Sequence, residues 1–241
     1  MSLAGKVVLV VGGCSGIGKA IALSLAADGA KVGIAGRRFE VLEEVAKESD
    51  AEIHCHSVDV SDRANVKALF DWATKTLGPV DILVNAAGVN IKTRSMAEMT
   101  PEQWDQVMQI NATGGYNLMY NALPPMRERK DGLIINISSI SGKRAYALGG
   151  IAYCASKFAM TALGTAAGNE VAVDGVRITN IYPGEVDTPI LAQRPSPVTE
   201  EHRARMLQPE DFSEVVLAIS HLPPRAHVAE LIIKPTKQEY T

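Results

Sequence analysis

Tyr153 and Lys157 have the residue types and the spacing of an acid–base pair. If this segment is helical, the two side chains share one face, because residues four apart on a helix are neighbours. A free tyrosine, with a pKa of about 10, is a poor base at neutral pH, but a nearby ammonium group favours its phenolate. The pair could therefore act as a general acid and base near physiological pH. The spacing is common on helices, so a surface tyrosine beside a lysine is the simpler interpretation of this motif alone.

A glycine-rich turn near the start of the chain predicts a phosphate-binding loop. Residues 12–18 read Gly-Gly-Cys-Ser-Gly-Ile-Gly, which fits the spacing G-x-x-x-G-x-G. The pattern G-x-G-x-x-G does not fit, because its third glycine would fall at Ile21. Glycines permit a sharp turn and let phosphate oxygens approach the amides of the following helix. A tight turn without a ligand is the alternative, but a position between a buried strand and an amphipathic helix favours dinucleotide binding.

The end of the second apolar run indicates which dinucleotide binds. Folds that prefer NAD place an acidic residue about 20 residues beyond the glycines, where it bonds the ribose 2′-hydroxyl. Residues 35–38 read Ala-Gly-Arg-Arg and contain no acid. A guanidinium group can instead bind a 2′-phosphate through paired hydrogen bonds. The sequence predicts NADP(H) rather than NAD(H), with Arg37 as the main contact and Arg38 as a second. The alternative is that both arginines are solvated at the start of a helix.

The elements that must position these residues alternate between short apolar runs and amphipathic stretches. Seven runs are predicted strands, at 6–11, 31–35, 52–58, 81–85, 132–138, 176–182 and 230–234. Six stretches are predicted helices, at 18–27, 39–47, 64–77, 101–127, 152–173 and 209–221. The first run, KVVLVV, lacks polar alternation, which is typical of a strand buried on both faces. The pattern predicts an α/β fold with a doubly wound, Rossmann-type parallel sheet of seven strands between two layers of helices.

Composition excludes several classes of protein. The 241 residues are 46% hydrophobic and 21% charged, which is typical of a globular chain, and we expect one domain over residues 1–241. A formal net charge of −3 gives no support for nucleic-acid or anionic-membrane binding. No apolar run is long enough to span a membrane. Cys14, Cys55 and Cys154 form no Cys-x-x-Cys pair, so we expect no disulfide framework, no metal site and a cytoplasmic location.

Further motifs follow the predicted strands in a fixed order. Asp59-Val60 follow the third strand, Asn85-Ala86-Ala87-Gly88 the fourth, Ser138-Ser139 the fifth, and Pro183-Gly184 with Thr188 the sixth. Asn111 lies in the helix predicted over 101–127. Together with the glycine turn and the Tyr153/Lys157 pair, these motifs resemble the short-chain dehydrogenase/reductase family, in its compact single-domain branch. Each motif is weak alone, but the resemblance covers essentially the whole chain.

The resemblance implies a catalytic group of Asn111, Ser139, Tyr153 and Lys157. Tyr153 would exchange a proton with the substrate oxygen, and Lys157 would lower the pKa of Tyr153 and hold the nicotinamide ribose. Ser139 would polarise the substrate carbonyl, and Asn111 would anchor a water on a proton path to solvent. Ser139 is preferred over its neighbours Ser138 and Ser141, because the Ile-Ser-Gly that follows it matches the usual sequel to the family's catalytic serine.

The resemblance also implies a cofactor site that draws on most of the strand ends. Its expected members are Gly12, Ser15, Gly16, Ile17, Gly18, Arg37, Arg38, Asp59, Val60, Asn85, Ala86, Gly88, Tyr153, Lys157, Pro183, Gly184, Val186 and Thr188.

The substrate pocket is expected to be lined from 90–96, 143–149, Glu185 and a lid over 187–208. Within it, Tyr146, Leu148 and Tyr182 would offer apolar surface, whereas Arg94, Lys143 and Glu185 would offer charge. We interpret His202, Arg203 and Arg205 as a solvated lid face, the alternative being that one of them meets an anionic substrate. Short segments around Pro183 and Glu230 resemble family members that act on small 3-hydroxy acids or 3-oxo compounds.

These observations predict an NADP(H)-dependent oxidoreductase that interconverts a carbonyl and a secondary alcohol. One alternative is a dinucleotide-binding regulatory or scaffold protein without turnover, which the presence of both Tyr153 and Lys157 disfavours. Another is an epimerase or dehydratase of the family's larger branch, which has a different glycine spacing and a longer C-terminal domain. Small residues along 152–173 and the resemblance predict a homodimer or homotetramer through that helix, unless these residues only pack on the sheet.

Overall fold

A single parallel sheet of seven strands organises the protein. The computed structural model describes residues 2–239. The strands lie in the order β3-β2-β1-β4-β5-β6-β7. Their bounds are β1 Val7–Val11, β2 Lys31–Gly36, β3 Ile53–Ser57, β4 Ile82–Asn85, β5 Gly132–Ile137, β6 Val176–Pro183 and β7 Glu230–Ile233. The order reverses between β1 and β4, and ligands of such sheets bind beyond the carboxyl ends of the strands at that reversal.

Helices connect the strands and cover both faces of the sheet. They are α1 Gly16–Ala27, α2 Phe39–Lys47, α3 Arg63–Thr76, α4 Pro101–Met108, α5 Gly114–Arg129, α6 Ile151–Val171, α7 Glu200–Arg203 and α8 Asp211–Ser220. A π-helical turn, Gln109–Thr113, joins α4 to α5, and 3₁₀ turns occur at Ile140–Gly142, Ala172–Asp174 and Pro189–Gln193. Within residues 2–239 no helix is long and apolar enough to cross a membrane.

Two apolar cores lie on opposite faces of the sheet. One packs α1, α2 and α8 against alternate strand residues such as Val8 and Val10. The other packs α3, α5 and the end of α6 against the intervening residues, such as Leu9 and Val11. All five residues of β1 are buried, because both faces are covered. The predicted α/β fold with a doubly wound seven-stranded sheet is confirmed.

The segment 101–127 differs from the sequence-based expectation of one regular helix. Thr100 caps its start in a capping box with Gln103, and Pro101 occupies the first turn, as the sequence predicts. The helix is then interrupted by the π turn at Gln109–Thr113 before it resumes as α5. Gly114 and Gly115 follow the interruption directly, and the residue at its centre is the candidate site residue Asn111.

Candidate functional site

The glycine turn after β1 packs too closely against its surroundings for any side chain. Gly12 has φ +89°, and a Cβ atom added there would lie 2.6 Å from the carbonyl carbon of Ala86. A Cβ atom at Gly18 would lie 2.3 Å from the carbonyl oxygen of Gly12. Ser15 is the N-cap of α1, yet its side chain makes no hydrogen bond to the first turn of the helix. The glycine turn and the uncapped first-turn amides form a backbone cradle of the kind that binds phosphate groups.

Two guanidinium groups flank this cradle at the end of β2. Arg38 donates a hydrogen bond from Nη2 to Sγ of Cys14 in the glycine turn, over 3.2 Å. Arg37 is exposed and interacts electrostatically with Asp59, which follows β3. Hydrogen bonds from Ser61 hold the pKa of the Asp59 carboxyl below its usual range, and the charge of Arg37 adds to this effect. A positive rim thus lies where a dinucleotide would place its adenosine ribose.

Tyr153 lies in the first turn of α6 and shares a side-chain hydrogen bond with Ser139 at the end of β5. Burial raises the pKa of Tyr153 to about 12, and the hydrogen bond from Ser139 offsets only part of that shift. The direction is opposite to the lowering expected from Lys157, because loss of solvent disfavours the phenolate more strongly. At neutral pH Tyr153 is therefore a protonated phenol that can donate a proton.

Lys157 is buried one turn further along α6. Its Nζ atom donates a hydrogen bond to the carbonyl oxygen of Ile137 over 3.0 Å and lies 5.6 Å from the centre of the Tyr153 ring. Burial lowers the pKa of Lys157 to about 8. A Cβ atom at Gly88 would lie 3.4 Å from this Nζ atom and 3.5 Å from Oδ1 of Asn111, so the absence of a side chain at 88 brings the lysine and the asparagine together.

Asn111 is fully buried in the π turn behind the cleft wall. Its Oδ1 atom accepts a hydrogen bond from the Val89 amide over 2.8 Å, and its Nδ2 atom donates to the Val89 carbonyl over 2.9 Å. The same Nδ2 atom donates to Oγ of Ser156 over 3.0 Å. The amide group therefore ties the loop after β4 to α6, and protein groups occupy both of its polar atoms.

Asn85 does not line the cleft, in contrast to its predicted place among the cofactor contacts. It begins an asparagine ladder across three neighbouring strands, formed with Asn136 and Asn180 at paired positions. The Nδ2 atom of Asn85 donates to Oδ1 of Asn136 over 3.4 Å, and Nδ2 of Asn136 donates to Oδ1 of Asn180 over 3.2 Å. Asn85 thus supports the central strands, which the family resemblance also implies.

One cleft of about 650 Å³ at the carboxyl ends of the strands collects nearly all the predicted site residues. Ser139, Tyr153 and Lys157 line it together with the predicted cofactor contacts except Asn85. Those lining contacts are Gly12, Ser15, Gly16, Ile17, Gly18, Arg37, Arg38, Asp59, Val60, Ala86, Gly88, Pro183, Gly184, Val186 and Thr188. The acid–base cluster and the glycine turn therefore share one continuous cavity.

The predicted lid is an ordered segment fastened at its base and along its length. Val186 and Leu207 form a parallel bridge, in which the Leu207 amide donates to the carbonyl of Glu185 over 3.0 Å. The two carboxylate oxygens of Glu185 pair with Arg194 at 2.6 Å and with His202 at 2.9 Å. Hydrogen bonds from His202 and Arg194 outweigh the effect of burial and hold the pKa of Glu185 below its usual range.

Two residues expected in the substrate pocket lie elsewhere. Tyr182 is fully buried and donates a hydrogen bond to Glu230 over 2.8 Å, and Lys143 forms an ion pair with the same carboxylate. Arg94, Tyr146 and Leu148 do line the cleft, beside Gln193 and Arg194 of the lid. No sequence motif singles out Gln193 or Arg194, because only the folded lid brings them back over the cleft.

Comparison with known proteins identifies the family of this chain. A family model described as short chain dehydrogenase matches residues 6–198. An uncharacterised oxidoreductase of Staphylococcus aureus strain USA300 is 36% identical over 234 residues, covering 97% of this chain and 98% of the relative. Glycine betaine reductase of Emericella nidulans is 35% identical over 97% of this chain, but the match spans only 19% of that protein.

Solved structures with the same architecture carry bound dinucleotides. The closed form of serine dehydrogenase complexed with NADP+ has a TM-score of 0.88 and 30% identity, covering 98% of this chain and 97% of that one. A 3-ketoacyl-(acyl-carrier-protein) reductase from Brucella melitensis complexed with NADH has a TM-score of 0.88 and 29% identity, covering 98% and 99%. The chain therefore belongs to the short-chain dehydrogenase/reductase family, the family that its motifs resemble.

Proposed function

We propose that this protein is an NADP(H)-dependent oxidoreductase that interconverts a carbonyl and a secondary alcohol. The observation that carries the proposal is the single cleft in which Ser139, Tyr153 and Lys157 meet at one end and the glycine turn lies at the other. Separate cavities for the two groups would have favoured two independent roles.

The dinucleotide site is proposed from residues that fit its phosphates. Cβ atoms at Gly12 and Gly18 would overlap neighbouring main-chain atoms, so the turn keeps a bare backbone, and the first amides of α1 have no side-chain cap. Arg37 and Arg38 stand at the end of β2 where NAD-preferring folds have an acid, so a 2′-phosphate would be attracted rather than repelled. The NADP+ bound by the related serine dehydrogenase supports this choice, although the related ketoacyl reductase was solved with NADH.

Three side chains have separate roles in the proposed reaction: Tyr153, Ser139 and Lys157. A nicotinamide held in this cleft would supply the hydride in reduction or accept it in oxidation. In the direction of reduction, Tyr153 donates its phenolic proton to the substrate oxygen, and its pKa of about 12 keeps that proton in place until transfer. Ser139 holds the same oxygen by a hydrogen bond. Lys157, charged below its pKa of about 8, stabilises the tyrosinate that remains and binds ribose hydroxyls.

Asn111 has a positioning role in this scheme. Its amide holds the Val89 backbone and Ser156, and so fixes the loop after β4 beside Lys157. A water anchored in this region would continue the proton path from Lys157 to solvent, as the family resemblance implies.

We propose a small 3-hydroxy acid or 3-oxo compound as the substrate. Serine is a 3-hydroxy acid, although its hydroxyl is primary, and a 3-ketoacyl group is a 3-oxo compound, so the names of both related structures match this class. The alternative of a binding protein without turnover is disfavoured, because Ser139, Tyr153 and Lys157 are all on the cleft wall.

The outer surfaces of α5 and α6 bear on the oligomeric state. Exposed aromatic side chains stand on α5 and α6, with Tyr116, Tyr120 and Phe158 at 44%, 65% and 43% exposure. Such side chains suit burial against another copy. We propose a homodimer or homotetramer formed through these helices, and a cytoplasmic location.

The decisive experiment compares the unmodified protein with Tyr153→Phe in two assays. Fluorescence titration with NADPH and NADH should show tighter binding of NADPH, and Tyr153→Phe should change that affinity less than about twofold. Turnover of a panel of small carbonyl compounds should fall about 10³-fold in the variant, because only the proton-donating oxygen is lost. Persistent turnover would refute the role of Tyr153. Binding of neither dinucleotide would refute the cofactor site.

A further inference from the structure

Arg94 places a guanidinium group in the wall of the cleft at its substrate end. It lies on the loop after β4, and its side chain runs across Gly150, the N-cap of α6, where an added Cβ atom would lie 2.7 Å from its Cδ atom. Nη1 donates to the carbonyl of Gly149 over 2.9 Å, and Nη2 donates to the carbonyl of Gln193 over 2.8 Å. The guanidinium therefore lies between the turn that carries Tyr153 and the first turn of the lid.

This cation has no acidic partner in the described part of the chain. Its two donated bonds go to neutral carbonyl oxygens, and its Nε atom is buried without a hydrogen-bond partner in residues 2–239. Buried polar groups in proteins are nearly always paired, so a buried donor without an acceptor calls for an explanation. Burial also lowers the pKa of Arg94, which is the direction expected for a desolvated cation without a counter-ion.

Unlike Arg94, the side chains of Arg194 and Glu185 at this end of the cleft are paired with each other. Arg194 also lines this end of the cleft, but it forms an ion pair with Glu185 at 2.6 Å. The second oxygen of Glu185 is taken by His202. Tyr146 and Leu148 add neutral surface. Glu185 is thus paired with Arg194 and His202, so within residues 2–239 Arg94 is left without an acidic partner at this end of the cleft, as Lys157 is beside Tyr153.

We propose that Arg94 determines substrate specificity by binding a carboxylate of the substrate. This inference rests on the proposed oxidoreductase function and narrows its substrate class to short oxo and hydroxy acids. A planar guanidinium can donate two parallel hydrogen bonds to a carboxylate, which fixes the orientation of the substrate as well as its charge. Arg94 and Tyr153 line the same cleft, and Arg94 is hydrogen-bonded to Gly149, four residues before Tyr153, so a short acid is the size of substrate that could contact both.

The test uses matched pairs of probes that differ in one charge. NADPH-dependent reduction of 3-oxobutanoate, 2-oxobutanoate and 4-oxopentanoate is compared with reduction of their neutral methyl esters. We expect the unmodified protein to prefer at least one acid over its ester. In Arg94→Gln, which keeps hydrogen-bond donors but loses the charge, the acid-to-ester ratio of kcat/KM should fall about tenfold or more. Lys92 lies on the same loop but is exposed and does not line the cleft, so Lys92→Gln should leave the ratio unchanged.

A binding measurement separates this inference from the proposed function. Calorimetric titration of 3-hydroxybutanoate into the protein saturated with NADP+ reports carboxylate binding without turnover. Binding that Arg94→Gln weakens, with no turnover of any probe, would show that Arg94 binds a carboxylate but would refute the proposed oxidoreduction of these compounds. Equal losses for acid and ester in Arg94→Gln, or a preference for every ester over its acid, would overturn the inference. Arg94 would then only fasten the loops that it bridges.

Discussion

The two ends of the cleft are held together by different forces. At the dinucleotide end, backbone atoms of the glycine turn pack directly on the loop after β4, and a Cβ atom at Gly12 or Gly18 would overlap a neighbouring main chain. At the substrate end, the lid is held by side chains that are partly solvated, chiefly Glu185 with Arg194 and His202. Close packing of backbones permits little adjustment, whereas ion pairs between long side chains rearrange readily.

This difference matches the two ligands that the cleft is proposed to bind, a dinucleotide and a substrate. A dinucleotide presents the same phosphates and riboses at every turnover, so a preformed cradle suits it. A substrate must enter and a product must leave, and a lid fastened by a few ion pairs can open for both. We therefore expect substitutions at the dinucleotide end to affect folding and cofactor binding together, and substitutions in the lid to affect substrate alone.

The largest effect should come from Gly18→Ala. The new methyl group would lie 2.3 Å from the carbonyl oxygen of Gly12, so the turn must move. We expect the free energy of unfolding to fall by about 3 kcal/mol and NADPH binding to weaken severely, as measured by urea denaturation and fluorescence titration. Gly168→Ala in α6 is the matched control, because its nearest neighbour would be Cβ of Ile178 at 3.5 Å. That control should raise helix stability by about 1 kcal/mol. If Gly18→Ala left both the free energy of unfolding and the NADPH affinity unchanged, the backbone of the glycine turn would be able to adjust to a side chain.

An intermediate effect should appear in the pH dependence of NADPH affinity, since Lys157 lies where the two ends meet. Its pKa of about 8 means that it is charged below that pH and neutral above it. If the charged form binds the cofactor, affinity is constant up to about pH 7.5 and then falls, approaching about tenfold per pH unit. The dissociation constant is measured from about pH 6.5 to 9.5. Lys157→Met should bind NADPH weakly, and its affinity should show no inflection near pH 8. If the inflection remained in this variant, another titrating group would be its cause.

The smallest effect should follow from Glu185→Gln at the base of the lid. The substitution keeps the shape of the side chain but removes the charge that Arg194 and His202 share. Because this pair is only partly solvated, we expect a loss of about 1 kcal/mol, seen as an increase in KM of about fivefold. The NADPH dissociation constant should change less than about twofold. Glu201→Gln, which removes the exposed partner of Arg205, should alter neither value. Equal changes in KM and in NADPH affinity would mean that the two ends are mechanically coupled.

The same contrast explains how much of the molecule could be predicted from its sequence. The strands of the sheet and the glycine turn were predictable, because buried parallel strands and close backbone approaches demand apolar and glycine residues at fixed spacing. The convergence of Ser139, Tyr153 and Lys157 followed from the family resemblance, and the single cleft is consistent with it.

Other features depend on contacts that no local pattern records. Tyr182 reads as an apolar pocket residue in the sequence, but its ring is buried and its hydroxyl bonds Glu230. The upward shift of the Tyr153 pKa arises from burial, which the Tyr153/Lys157 spacing does not reveal. In the sequence, Arg94 is one of several charged residues in a loop. Only the structure shows that it lies beside Gly150 and Gln193 and that it has no acidic partner within residues 2–239.

The π turn at Gln109–Thr113 holds one residue more than a regular α-helical segment would need. A π turn is wider than an α-helical turn, so the extra residue changes the relative rotation of α4 and α5 only slightly. Deleting one residue here would restore a regular helix and leave the face of α4 that buries Val107 close to its present alignment with the face of α5 that buries Leu118 and Met119. The deletion would, however, remove the bulge that presents Asn111, so it should spare the packing of the two helices and disrupt the site.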